Sequence, residues 1–303
     1  MKKIISLLLI GLLVISMTAC GGKEENNTIV VYDGQFSEMQ IIHYMVKLLV
    51  EEKTDLTVEI KDEMAPVNLF SELTGGTSDL MNSYDGTLLT TYLHLDPSEV
   101  PEDTTLYDFV NEKGREMEGV MLLDKLGINN TYAIAVPQDI ADEYSLNTIS
   151  DLAAVADQFV FGAEHDFFTE EGSAKYNPFV EFYGLEFKEG KQIDINLKYS
   201  AVESGNIDVT VVYATDGLNR QAGLKILEDD RQFFPEYNGA LLVKEDFFEK
   251  YKDSAPNLEE VLAMMANIFT DEDMVNLTYQ VDVEGSSVAD VSKEYLQEKG
   301  LID

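Results

Sequence analysis

Apolar and polar positions along this chain alternate between two periods, near two residues and near 3.6. Thr28 to Tyr32 (TIVVY) is a β-branched and aromatic run ended by Asp33-Gly34, which predicts a strand. Met39, Ile42, Met45, Val46 and Leu49 then recur on one face of a predicted helix, with Ser37 as its expected N-cap. Leu56 to Ile60 returns as a strand. Pro66 to Leu73 reads as a helix closed by Gly75-Gly76, and a strand runs on to Tyr84. This β–α–β–α–β order predicts a parallel sheet with right-handed crossovers. Asp85-Gly86-Thr87 turns into another helix through Leu93, and residues 96–104 are a polar loop. Thr105 to Leu126 reads as one helix stopped by Gly127.

The strand Tyr132-Ala133-Ile134-Ala135-Val136 opens a second α/β unit. Helices are expected at Ile149 to Gln158, Phe179 to Tyr183 and Ala201 to Gly205. Strands are expected at Phe159 to Ala163, Ile193 to Lys198, Val209 to Tyr213, Leu224 to Glu228 and Tyr237 to Val243. From Glu245 the chain is mainly helical, including Leu258 to Phe269 and Ser292 to Lys299. Two strands echo each other: Tyr84 lies five residues after Asp79, and Tyr213 five after Asp208, each behind a glycine and before a polar turn. In open α/β sheets ligands collect beyond the carboxyl ends of strands. The expected architecture is therefore two α/β lobes facing across a cleft. Lobe 1 takes residues 28–133 and 238–303, lobe 2 takes 134–237, and two crossing segments form a hinge.

The first residues indicate a compartment. Lys2-Lys3 precede an apolar run from Ile4 to Ile15, too short for a comfortable membrane span but suited to a secretory signal. Met17-Thr18-Ala19-Cys20 resembles a bacterial lipobox, and Cys20 is the only cysteine in 303 residues. Residues 1–19 are thus expected to be a lipoprotein signal peptide, Cys20 the lipidated N-terminus, and residues 20–27 a polar tether. An extracytoplasmic protein held at the cell membrane by acyl chains follows.

Charge narrows the partners. The net charge is −36, and removing residues 1–19, which hold Lys2 and Lys3 and no acid, takes it to −38. Such a surface repels nucleic acid and anionic headgroups, so the tether must hold the protein at the membrane. The plainest role of this charge is solubility and mutual spacing at a crowded cell surface. The three histidines, His43, His94 and His165, share no metal-ligand spacing, and His43 and His94 are expected at helix surfaces or edges. No nucleophile elbow, phosphate loop or dinucleotide fingerprint follows a strand. Neither a catalyst nor a metal or cofactor is expected.

The tyrosines carry more information. There are 15, with no tryptophan, and Tyr84, Tyr132, Tyr213 and Tyr237 stand at strand ends beside polar turns. Any one of them could simply seal a core edge with its hydroxyl in water. Four at equivalent places around a cleft suit a quaternary ammonium, which has no N–H donors and is attracted by aromatic faces.

Several segments resemble the substrate-binding proteins of ABC transporters for glycine betaine, carnitine and choline. They are Asn130-Thr131-Tyr132-Ala133, Tyr213-Ala214-Thr215-Asp216-Gly217, Leu224 to Asp230 and Phe233-Phe234-Pro235-Glu236-Tyr237. Tyr84-Asp85-Gly86-Thr87 and Phe36-Ser37-Glu38 match less fully. The resemblance runs from about residue 28 to the end. It implies a two-lobed type II periplasmic-binding-protein fold without catalysis. The ligand cage would be Tyr84, Tyr132, Tyr213 and Tyr237, and the closed monomer would dock on a membrane permease. The ligand's polar end would be met near Thr87 and by the loop Gly34-Gln35-Phe36, with Gln35 the candidate side chain. Gly34 departs from the family, which commonly has a polar residue there. The competing reading is a same-fold binding protein for another small solute such as an amino acid, although only Arg115, Arg220 and Arg231 could meet an α-carboxylate.

Overall fold

The computed structural model describes residues 27–168, 174–194 and 197–303. The expected signal peptide, Cys20 and nearly all of the tether lie outside these residues. In the first lobe, β1 (Thr28–Gly34) and β2 (Thr57–Met64) pair in parallel, from Thr28 opposite Thr57 to Tyr32 opposite Lys61. The helix Ser37–Lys53 joins them and buries Met39, Ile42, Met45, Val46 and Leu49, the face its spacing predicts. Phe36 rather than Ser37 takes the N-cap position. The Ser37 hydroxyl instead donates to Asp282 Oδ2 at 2.7 Å.

The parallel sheet stops there, against expectation. Asp79 stands where β3 (Leu80–Tyr84) would join β1. Its backbone N–H donates to Val30 O at 2.8 Å, and its Oδ2 accepts from Val30 N at 2.8 Å. A side-chain carboxylate thus replaces the next rung, and β3 pairs antiparallel with a late strand, β10 (Asn238–Lys244). On the other side of β10 lies β4 (Val120–Asn129), also antiparallel, giving the order β3-β10-β4. β4 is the second correction, because Thr105 to Leu126 is not one helix. The helix is Leu106–Glu118, and Gly119 ends it in the left-handed region at φ 64°. Beyond it Val120, Leu122, Leu126 and Ile128 are buried on a strand. His43 is the third correction. It is fully buried, with Nδ1 3.0 Å from Asp33 Oδ1 and Nε2 accepting from Asn82 N at 2.9 Å.

The second lobe is one five-stranded sheet in the order β7-β6-β8-β5-β9. Its members are β5 (Tyr132–Pro137), β6 (Val160–Ala163), β7 (Glu189–Gln192), β8 (Val209–Tyr213) and β9 (Leu224–Leu227). β6 runs parallel to β7 and β8, while β5 runs antiparallel to β8 and β9. The strand expected at Ile193 to Lys198 is instead β7, and Lys198 opens the helix Lys198–Glu203; residues 195–196 lie outside the described set. The helix expected from Ile149 to Gln158 shortens to Ile149–Ala153, capped by Thr148 and Asp151.

Each lobe encloses its own apolar core. The first gathers Ile29, Met45, Leu49, Phe247, Tyr251, Phe269 and Leu296, drawing on both ends of the chain. The second is built around Phe161, Phe167, Phe179 and Phe234. Burying one such side chain contributes about 1.5–3 kcal/mol. The three-stranded and five-stranded sheets are joined by two crossings, residues 130–131 between β4 and β5 and residues 228–237 between β9 and β10, and the crossings are tied together. Asn130 N donates to Tyr237 O at 3.0 Å, Tyr237 N to Asn129 Oδ1 at 2.6 Å, and Thr131 Oγ1 to Pro235 O at 2.8 Å. No helix among the described residues is long and apolar enough to cross a membrane.

Candidate functional site

The four candidate tyrosines meet where the crossings join the sheets, as two stacked pairs. Antiparallel pairing of β5 with β8 sets Tyr132 opposite Tyr213, and their rings stack at 5.4 Å between centroids with planes 28° apart. Tyr84 ends β3 and Tyr237 precedes β10. Their rings stack at 5.3 Å and 29°. The electrostatic fields of the pairs overlap: Tyr237 feels Tyr132, and Tyr213 feels both Tyr132 and Tyr237. Burial first, and these neighbours after it, push the Tyr213 hydroxyl well above the usual phenol range. Tyr84 and Tyr237 are raised likewise, burial first, so these three hydroxyls are neutral near pH 7. Tyr213 is the most open of them, 41% exposed on the second lobe.

One ring of each pair is held from behind. Tyr132 packs edge-on against Phe167 and Phe234, at 5.7 and 6.2 Å. Tyr237 shares a hydrogen bond of 2.6 Å between its hydroxyl and Thr87 Oγ1, and its ring lies against Gly86, where a Cβ would overlap the ring edge. The Asp85 carboxylate fastens the turn below. It accepts from Asn238 N at 2.9 Å, Asn238 Nδ2 at 2.7 Å and Gly86 N at 2.8 Å. Burial pushes the Asp85 carboxyl up to about 6, although these hydrogen bonds pull the other way.

Thr87 thus reaches the tyrosines through Tyr237. Gln35 does not join this network; it is exposed on the turn after β1. The glycine beside it has a local cause, because a Cβ at Gly34 would come within 2.6 Å of Met39 Cβ and Sδ.

Sequence reasoning missed Glu38. Its side chain is buried at 5% exposure, one oxygen accepting from the Tyr84 hydroxyl and the other from Thr215 Oγ1 at 2.6 Å. Burial raises this carboxyl to about 7. The residue lay within Phe36-Ser37-Glu38, but in so acidic a chain one more glutamate gave no signal. Lys198 was missed as well. Its side chain is 3% exposed, with Nζ 2.7 Å from Glu164 Oε1, and it stands 5.8 Å from the centre of the Tyr213 ring. The Asn82 and Asn130 side chains are directed at the Tyr84 hydroxyl and oppose the upward push of burial and Glu38 on it.

The three arginines are engaged elsewhere: Arg115 faces Glu245, Arg220 bonds Asn276, and Arg231 covers Phe182 and Tyr183. The described residues contain no cluster of His, Cys, Asp and Glu able to hold a metal ion.

Comparison with known proteins identifies the family and the fold. The OpuAC family, described as the substrate binding domain of ABC-type glycine betaine transport systems, matches residues 27–298. A carnitine transport binding protein of Listeria monocytogenes is 29% identical over 310 residues, covering 100% of this chain and 98% of its own. An ergothioneine transport permease/ergothioneine binding protein of Helicobacter pylori is 31% identical over 91% of this chain; the chain spans about half of that protein, 48% of its length. Among solved structures, a glycine betaine/carnitine/choline ABC transporter protein superposes with a TM-score of 0.81 at 26% identity, covering 91% of this chain and all of that one. The fold is thus the two-lobed type II periplasmic-binding-protein fold. The chain belongs to the family of substrate-binding domains of ABC-type glycine betaine transport systems, and it is a binding protein rather than an enzyme.

Proposed function

We propose that this protein captures a small quaternary ammonium compound between Tyr84, Tyr132, Tyr213 and Tyr237 and delivers it to an ABC permease. The observation that carries the reading is the meeting of two stacked tyrosine pairs at the junction of the lobes. Four aromatic faces offer a desolvated trimethylammonium about 2 kcal/mol each, with no carboxylate needed. Thr87 is the proposed contact for the ligand's polar end, with Gln35 reaching it from the rim. Hinge motion about the two crossings would close the lobes over the ligand, and the closed monomer would dock on the permease. The protein works outside the cytoplasm, and lipidation of Cys20 would anchor it to the membrane.

Nothing in the site favours an amino acid, whose α-carboxylate would call for an arginine, since all three arginines face other partners. A thermal-shift panel of glycine betaine, carnitine, choline, ergothioneine and amino acids tests the reading, because a bound ligand raises Tm by mass action. Calorimetry of Tyr213→Ala then tests the cage. We expect a loss of at least tenfold in affinity with the fold intact, and unchanged affinity would remove Tyr213 from the site.

A further inference from the structure

Besides the crossings, a third contact joins the lobes, and it passes through the aromatic site. The turn after β8 leaves the second sheet at Tyr213 and rests on the first lobe. Thr278 Oγ1, on the helix Asp271–Asp282, donates to Thr215 O at 3.1 Å. Gly217 lies on the backbone of the same helix, where a Cβ would come within 2.7 Å of Tyr279 Cα and 2.9 Å of Thr278 C. Arg220 donates to Asn276 Oδ1 at 2.7 Å and covers the Tyr279 ring at 4.4 Å. The turn itself is stiff. Asn219 Nδ2 donates to Tyr213 O at 2.8 Å, and Asp216 accepts from Tyr199 Oη at 2.5 Å and from Leu218 N at 2.9 Å.

Glu38 closes this contact from the first lobe. It starts the helix Ser37–Lys53, and its two oxygens take one hydroxyl from each side: Tyr84 of the first lobe and Thr215, two residues beyond Tyr213, of the second. A buried carboxylate with one hydroxyl donor on each oxygen is a fixed geometric link, since charge-assisted hydrogen bonds are about twice as strong as neutral ones. We propose that Glu38 is a positioning residue that couples the two tyrosine pairs, so that the spacing of the cage walls and the approach of the lobes are set by one side chain. This builds on the reading of the tyrosines as the ligand site.

The groups facing Glu38 are Tyr84 at the end of β3, Thr215 and Asp216 after β8, and Asp271 at the start of the helix Asp271–Asp282. Asp282, at the other end of that helix, feels Asp216 and holds Ser37. Apart from the two hydroxyls, then, Glu38 faces carboxylates. A ligand cation entering beside Tyr84 would favour the ionised carboxylate, so binding should release a proton and tighten as pH rises.

The test compares wild type with Glu38→Gln, Glu38→Ala and Thr215→Val. Glycine betaine and choline affinities are measured by calorimetry from pH 6 to 8, and lobe separation in the ligand-free proteins by double electron–electron resonance between labelled lobes. We expect wild-type affinity for these two compounds to rise by up to about tenfold over that range, one pKa unit of ligand-induced shift being tenfold. Glu38→Gln should flatten the slope and keep most of the affinity at pH 6. Glu38→Ala and Thr215→Val should broaden the lobe separation and weaken binding at every pH. A Glu38→Gln variant with the wild-type slope, or Glu38→Ala and Thr215→Val with the wild-type separation, would overturn the proposal. If wild type binds neither compound nor carnitine, the proposed function fails instead, and the ligand-free separations still decide whether Glu38 couples the lobes.

Discussion

The Gly86→Ala substitution tests the cage without touching a tyrosine. The backbone at Gly86 is helical, so alanine adopts it without strain, but its Cβ would overlap the Cδ2–Cε2 edge of the Tyr237 ring. Carbon atoms rest about 3.5–4.0 Å apart, so the ring has to move by roughly 1 Å or more. Moving it breaks the 2.6 Å bond to Thr87 and the stack on Tyr84. These are worth about 0.5–1.5 kcal/mol each, and overpacking as a whole typically costs about 1–3 kcal/mol of stability. Affinity should suffer separately. A desolvated aromatic wall gives a quaternary ammonium about 2 kcal/mol, so its displacement weakens binding roughly 30-fold.

Calorimetry with the tightest ligand of the panel reads the affinity, and thermal melting reads the stability. Gly75→Ala is the control, because a Cβ there meets nothing within 4 Å. The control should bind like wild type and melt no lower. A Gly86→Ala protein that melts several degrees lower yet binds within twofold of wild type would show that Tyr237 is a core residue, and the four-ring site would be wrong.

Three further substitutions probe buried charge near the site. Folding raises the Asp85 carboxyl from 3.8 to about 6, so between those values the folded protein holds a proton that the unfolded chain has released. Its stabilising effect is complete below about pH 4 and is lost as pH rises through 6, a change of about 3 kcal/mol for a shift of roughly two units. Urea unfolding at pH 5 and pH 8 should show about half of that decline, roughly 1.4 kcal/mol, in wild type and a flatter profile in Asp85→Asn; equal slopes would contradict it. Replacing Glu164 by Gln leaves the Lys198 ammonium buried without its partner and should cost about 3–5 kcal/mol, most of it recovered on adding Lys198→Met. Urea unfolding of the two variants reads both numbers, and a double variant as unstable as the single one would contradict the argument.

The sequence made the second lobe more legible than the first. Tyr213 sits at the end of its strand because Val209 to Val212 form a β-branched run that ends at a polar turn, and such local patterns survive into the fold. The first lobe misled where one residue overruled a pattern. Gly119 cuts an apparent 22-residue helical stretch into a helix and a strand, because its left-handed conformation turns the chain back toward β10. Asp79 ends a parallel ladder by hydrogen-bonding in place of a strand, which no periodicity signals. All four candidate rings and Thr87 were visible as strand-end or turn residues, but that Tyr132, at the start of its strand, stands opposite Tyr213 follows only from the antiparallel pairing. Glu38 was hidden for a different reason: its partners lie 46 and 177 residues away.

The placement of carboxylates also says how such a site would choose its ligand. The protein carries 57 acidic residues, yet the two carboxylates bonded around the tyrosines are turned to other work. Glu38 accepts from Tyr84 and Thr215, and Asp85 from Asn238 and Gly86. Neither has an oxygen directed only at a bound cation. A primary ammonium entering among the rings would bring three N–H donors in need of acceptors, and each donor buried without one costs about 1–3 kcal/mol. A trimethylammonium brings none and fills the same space with methyl groups. Affinity should therefore climb through glycine, sarcosine, dimethylglycine and glycine betaine, by about tenfold or more at each of the later steps. Titration of the four compounds under one set of conditions measures this. A flat series, or one led by glycine, would mean that a polar acceptor and not the aromatic faces holds the cationic end.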